Sequence, residues 1–121
     1  MDFSKAIEVH IMWKRRLTEI VSDKSSEKLD PAVVRADNVC EIGKWIYSDG
    51  IKYKGVKEYE DFRTNHANFH KCAASVLNMK LTGNSKVAQT MLEDFNSEYK
   101  HATSNTVNAI TKLSDYIKQH G

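Results

Sequence analysis

Between Tyr59 and Leu81 the residues Tyr59, Phe62, His66, Phe69, Ala73, Val76 and Leu77 recur at helical spacing, with His70 beside them. A stripe of that period predicts an amphipathic helix with one face turned to a core. It also constrains the chemistry, because His66 and His70 lie one helical turn apart on the side that faces inward. Two imidazoles so placed can hold one metal ion without bending the backbone, each offering a neutral ring nitrogen. With five histidines in the chain, a pair four apart arises readily by chance, so the pair needs partners elsewhere to carry weight. The metalloprotease form of this spacing places a Glu directly after the first His as general base. Ala67 stands there instead, which argues against hydrolytic zinc chemistry and for a non-enzymatic protein.

Three further helical segments are predicted around this one. Phe3, Ala6, Ile7, Trp13, Leu17, Ile20 and Val21 form a stripe from Phe3 to Val21, and His10 lies near its centre. Ser22 to Lys28 has no apolar period and reads as a solvated connection. Asp30-Pro31 supplies an N-cap carboxylate followed by proline at the first helical position. A second helix is predicted from there to Asp49-Gly50, with Val33, Ala36, Cys40, Gly43 and Tyr47 on one side and small residues that allow close approach. The third helix runs from about Val56 to Leu81 and stops at Thr82-Gly83-Asn84. Ala88, Met91, Leu92, Phe95, Tyr99, Ala102, Thr106, Ile110, Leu113 and Ile117 then mark one long fourth helix, with His101 nearly opposite its stripe and His120 in the tail.

Four helices with one apolar stripe each most simply make an all-α, antiparallel four-helix bundle. At 121 residues the chain, 1–121, is a single domain with one core. The net charge of +2 comes from interspersed acids and bases, so no nucleic-acid footprint or polybasic anchor stands out, and Lys14-Arg15-Arg16 reads as a solvated helix face. No apolar run approaches a membrane span or a signal peptide, so neither membrane insertion nor export is expected, and a cytoplasmic location is. Two cysteines, Cys40 and Cys72, are too few for a disulfide scaffold and suit a reducing compartment.

The inward candidates are His10 on the first helix, Cys40 on the second, and His66 and His70 on the third. Three imidazoles and a thiolate form a tetrahedral set suited to zinc. Each would be costly to bury alone, whereas one shared ion satisfies them all. Cys72, two positions past His70, projects elsewhere and reads as an inert, partly buried thiol. Trp13 and Trp45 read as large apolar residues walling the site from water, and Gly43 as a close-approach residue.

The blocks His10-Ile11-Met12-Trp13-Lys14 and Cys40-Glu41-Ile42-Gly43-Lys44-Trp45, followed by His66 with His70, resemble the chemoreceptor zinc-binding domain family of bacterial signalling proteins. The three blocks occur in the family's order, and the resemblance covers nearly the whole chain. It implies a four-helix fold with a buried zinc site in which His10, Cys40, His66 and His70 ligate Zn²⁺. It also implies a sensory role in chemotaxis or cyclic-di-GMP signalling, since such domains are attached to chemoreceptors or diguanylate cyclases and often form homodimers. This chain carries no chemoreceptor signalling hairpin and no cyclase domain. Its output is therefore expected through a separate partner or a dimer surface, unless the chain is a fragment. Two functions follow: a module that responds to zinc or to oxidation of Cys40, or a purely structural zinc site in a small adaptor or dimerisation protein. A di-iron bundle would need inward carboxylates that these helices do not offer.

Overall fold

The structure, a computed structural model, describes residues 1–120. Among these residues it is all helical, with no strand. Helix α1 (Phe3–Val21) starts at Asp2, whose side chain accepts a hydrogen bond from the Lys5 N–H at 3.0 Å. Helix α2 (Pro31–Arg35) starts at Asp30, extended in backbone and accepting from the Ala32 N–H at 2.9 Å, with Pro31 in the first turn. Helix α3 (Glu41–Ile46) and a 3₁₀ turn (Asp49–Tyr53) complete that side of the molecule. Helices α4 (Lys57–Leu81), α5 (Ser85–Glu93) and α6 (Glu98–His120) follow. Gly83, at φ +86°, turns the chain out of α4 where a side chain would be strained.

Two buried clusters show how the elements run. At one end Leu17, Ile20 and Val21 of α1 meet Phe69, Val76 and Leu77 of α4 and Tyr99 and Ala102 of α6. At the other end Ala6 of α1 meets Phe62 of α4 and Ile110 and Leu113 of α6, together with Ile42 and Ile46 of α3. Helices α1 and α4 are therefore parallel to each other, and α6 and the α2–α3 leg run opposite to them, which is the antiparallel bundle expected. Leu17, Phe62, Phe69, Val76, Ile110 and Leu113 are fully buried, each contributing about 1.5–3 kcal/mol from removal of its apolar surface from water. The hydroxyl of Thr106 on α6 donates to the Asn65 carbonyl of α4 at 3.0 Å, holding the two long helices in register midway between the clusters.

Two of the four predicted helical segments are divided. The second leaves helical geometry at Ala36, whose ψ is 128°, turns through Asp37 and Asn38, and re-enters a helix only after Cys40. Its apolar side is accordingly different from the expected one: Val34 is buried, while Val33 and Tyr47 are exposed. The fourth segment breaks at Asp94, whose ψ is 124°. There the Asp94 carboxylate accepts from the Asn96 N–H at 2.9 Å, and the Ser97 hydroxyl accepts from the Lys100 N–H at 3.2 Å to start α6. Polar side chains that bond nearby backbone outcompete continued helix at such points. Phe95, predicted to lie on the stripe, is 84% exposed as a result.

Candidate metal centre

Between the two clusters the bundle axis is polar. His10 reaches it from the middle of α1, His66 and His70 from successive turns of α4, and Cys40 from the N-cap position of α3. The three imidazoles are buried, at 1%, 0% and 3% exposure, and Cys40 is half-buried. The four residues singled out in the sequence are thus brought together, with one ligating atom from each lying within 4.8 Å of all the others. His101 is exposed, and Cys72 is buried in the first cluster away from the four.

Hydrogen bonds to backbone carbonyls fix two of the rings. His10 Nδ1 lies 2.6 Å from the Ala6 carbonyl oxygen and His70 Nδ1 lies 2.9 Å from that of Val34. A carbonyl only accepts, so each Nδ1 carries the proton and each Nε2 presents a lone pair to the centre. This is the outer arrangement that metal-bound histidines use to set tautomer and ring angle. The lone pair of His10 Nε2 is buried with no partner among the described residues, an arrangement that is costly unless a cation or donor fills the space.

Three donor separations are close to those of a tetrahedral zinc site, within a set whose donors all lie within 4.8 Å of one another. His66 Nε2 lies 3.2 Å from Cys40 Sγ and 3.1 Å from His70 Nε2, and Cys40 Sγ lies 3.6 Å from His70 Nε2. A tetrahedral zinc site with its usual bond lengths has N···N edges of about 3.3 Å and N···S edges of about 3.6 Å. Phe62 and Phe69 wall the rings, with centroid separations of 5.4 Å from Phe62 to His66, 5.2 Å from Phe69 to His10 and 5.5 Å from Phe69 to His70. Trp13 instead lies under the Arg16 guanidinium, and Trp45 packs edge-on against Phe3. The apolar wall lowers the local dielectric, and burial pushes the imidazoles well below their ordinary range, His10 to about 4 and His66 to about 2. They are therefore neutral and free to ligate at neutral pH. Burial likewise pushes the Cys40 thiol up, opposed by backbone N–H groups at the start of α3, chiefly that of Gly43. A bound cation reverses that balance by stabilising the thiolate.

The loop that carries Cys40 is held by contacts that the linear pattern does not display. The Tyr47 hydroxyl donates to the Asp37 carboxylate at 2.5 Å, tying the start of the loop to the end of α3. Gly43 packs against the backbone of Asp37 and Asn38 so closely that a methyl group there would overlap the Asp37 carbonyl oxygen. The close-approach role expected of Gly43 is therefore met by the loop's own backbone. The Asp37-Asn38 pair is a turn signal in the sequence and marks the break; the carbonyls of Ala6 and Val34 leave no such trace.

Comparison with known proteins adds one match: the model of the chemoreceptor zinc-binding domain family covers residues 10–77, more than half of the chain and all four of the clustered residues. No curated protein and no solved structure matches.

Proposed function

We propose, for a chain that belongs to the chemoreceptor zinc-binding domain family, that His10, Cys40, His66 and His70 hold one Zn²⁺ and that the state of Cys40 makes the site a sensor. The family is a zinc-binding signalling domain rather than a catalytic one, and the four gathered donors are positioned for the ion. The observation that carries the reading is the pairing of Nδ1 on two buried rings with carbonyls, which leaves the Nε2 of His70 beside the Cys40 sulfur and His66, and the Nε2 of His10 buried near them without a partner among the described residues. When bound, zinc supplies a cation that keeps the thiolate deprotonated and ties α1, the α2–α3 loop and α4 together.

Cys40 is the half-buried member of the set, and that exposure favours a sensor over a purely structural site. A peroxide that reaches the sulfur transfers one oxygen, giving a sulfenic acid and water. The sulfur then ceases to be a thiolate donor, and the remaining three imidazoles hold the ion more weakly. The helices it joined loosen, which alters the surface offered to a partner. A cytoplasmic setting, a homodimer, and output to a chemoreceptor or a diguanylate cyclase complete the proposal, and they rest on the family's known company.

The test is graded oxidation of the zinc-loaded protein, with mass spectrometry on each cysteine read alongside zinc release. Cys40 should react before Cys72, zinc should leave in step with it, and Cys40→Ser should bind zinc more weakly and lose the response. Oxidation of Cys72 first, or oxidised Cys40 with zinc still tightly held, would establish the structural alternative instead.

A further inference from the structure

The turn that carries Cys40 is fastened to α4 through side chains outside the donor set. At the far end of α3 the Tyr59 hydroxyl of α4 donates to the Ile46 carbonyl at 2.7 Å, which makes the next residue, Tyr47, a fixed post beside α4. The Tyr47 hydroxyl donates to the Asp37 carboxylate at 2.5 Å, and its oxygen lies within hydrogen-bonding reach of the Arg63 guanidinium. Arg63 is itself held. Its Nε and a terminal nitrogen lie 3.2 and 3.1 Å from one oxygen of Glu60, and the other Glu60 oxygen accepts from the Gly55 N–H at 3.2 Å. A chain of donors and acceptors therefore runs from the start of α4 through Arg63 and Tyr47 to Asp37, on the turn that leads into Cys40. Arg63 and Glu60 are 42% and 37% exposed and Tyr47 44%, so these contacts add little to the stability of the whole fold. Their effect is local, because the segment they hold is a short turn of the kind that opens at low free energy.

We propose that Arg63 and Tyr47 are positioning residues that latch the Cys40 turn against α4 and so set how fast the metal centre gives up its ion. The consequence for zinc rests on the function proposed above, whereas the latch belongs to the chain with or without the ion. Arg63 orients the Tyr47 hydroxyl, and the hydroxyl holds Asp37. When that bond opens, the turn through Asn38 and Val39 is free to carry the sulfur away from His66 and His70, which stay on α4. Neither buried cluster has to unpack for this to happen, since the groups of the latch lie at the surface.

The test reads opening and zinc loss separately. The Lys44 N–H donates to the Cys40 carbonyl at 2.9 Å, so its hydrogen exchange reports departure of the turn from α3. Tyr47→Phe, which removes only the hydroxyl, and Arg63→Gln should each speed Lys44 exchange in the zinc-loaded and the metal-free full chain. Each should also speed loss of zinc to excess chelator by roughly twofold to tenfold, the value of one net hydrogen bond. Exchange at Leu17 and Phe69, in the buried core, should keep the parent rate. Both substitutions act on one latch, so the double variant should lose zinc no faster than the faster single variant. Arg15→Gln breaks an exposed ion pair with Glu19 on α1 and should change neither readout. Parent rates in both single variants, additive effects in the double variant, or exchange that rises equally at Leu17, Phe69 and Lys44 would each overturn the proposal. A parent chain that takes up no zinc would refute the zinc reading instead, and Lys44 exchange in the metal-free chain would then decide the latch alone, with unchanged exchange overturning it.

Discussion

Replacing Gly43 with Ala tests whether the loop geometry sets zinc affinity. The added methyl would overlap the Asp37 carbonyl oxygen and stand 2.9 Å from the Asp37 carbonyl carbon and 3.2 Å from Asn38 Cα. Comfortable carbon contacts begin near about 3.5 Å, and backbone atoms cannot rotate aside as a side-chain end can. The Asp37–Asn38 turn must therefore retreat, and Cys40 lies two residues beyond it on the same non-helical stretch. Zinc–donor bond lengths tolerate only about 0.2 Å of error, so a retreat of the turn that moves the Cys40 sulfur relative to His66 Nε2, now 3.2 Å away, is expected to weaken zinc binding. Alanine also favours helix over glycine by about 1 kcal/mol, and Gly43 is within α3. Overpacking against rigid neighbours costs about 1–3 kcal/mol, so strain outweighs propensity. Competition with a chelator should show zinc affinity falling roughly fivefold to 150-fold, the equivalent of that strain. Melting temperature should fall more for the zinc-loaded protein than for the metal-free one, at about 4 °C per kcal/mol for a domain of this size. A variant that binds zinc like the parent and melts no lower would refute the loop as the determinant.

Elemental analysis should find about one zinc per chain, the capacity of one four-donor site; His101→Ala should leave it unchanged, whereas His66→Ala or His70→Ala should lower affinity sharply, and the reverse ranking would mean that the donors are misassigned. Free zinc at 100 times its dissociation constant should stabilise the fold by about 2.7 kcal/mol, near 10 °C in melting temperature at about 4 °C per kcal/mol; no shift in a zinc titration of the melt would show that the ion does not bind the folded chain. In the metal-free protein burial lowers His10 to about 4 and His66 to about 2, below the unfolded value of about 6.5. The unfolded chain then binds more protons, so the stability that these groups contribute is complete above about pH 6.5 and is lost as pH falls through about 4; a melting temperature that stays level across that window would show that the rings are not buried as neutral groups.

The parts of this fold that were legible in the sequence are those in which one helix face repeats long enough to average out exceptions. Helix α4 is the clearest case: Tyr59, Phe62, His66, Phe69, Ala73, Val76 and Leu77 are all buried, and the predicted stop at Thr82-Gly83-Asn84 is where the helix ends. The two breaks were hidden because periodicity survived them. Ala88 and Leu92 on α5 and Tyr99 and Ala102 on α6 keep nearly continuous phase across the turn at Asp94, although the Asp94, Asn96 and Ser97 side chains spell out turn and cap chemistry. The break between α2 and α3 has a turn signal in Asp37-Asn38, but the close packing of Gly43 on the Asp37 backbone that accompanies it leaves no mark in the periodicity.

That break bears on function. His10, His66 and His70 sit on α1 and α4, whose packing at both ends of the bundle fixes them whether or not an ion is present. Cys40 precedes α3, a helix of six residues, on a turn tied down by Tyr47, Asp37 and Gly43. Short helices and turns open at lower free energy than long packed ones. The sulfur can therefore leave the imidazoles by a local opening of the loop, without unpacking α1 from α4. In the proposed zinc site, with three donors on long packed helices and one on a short turn, ion release is expected to begin at residues 36–40, where it would first change the surface of the protein.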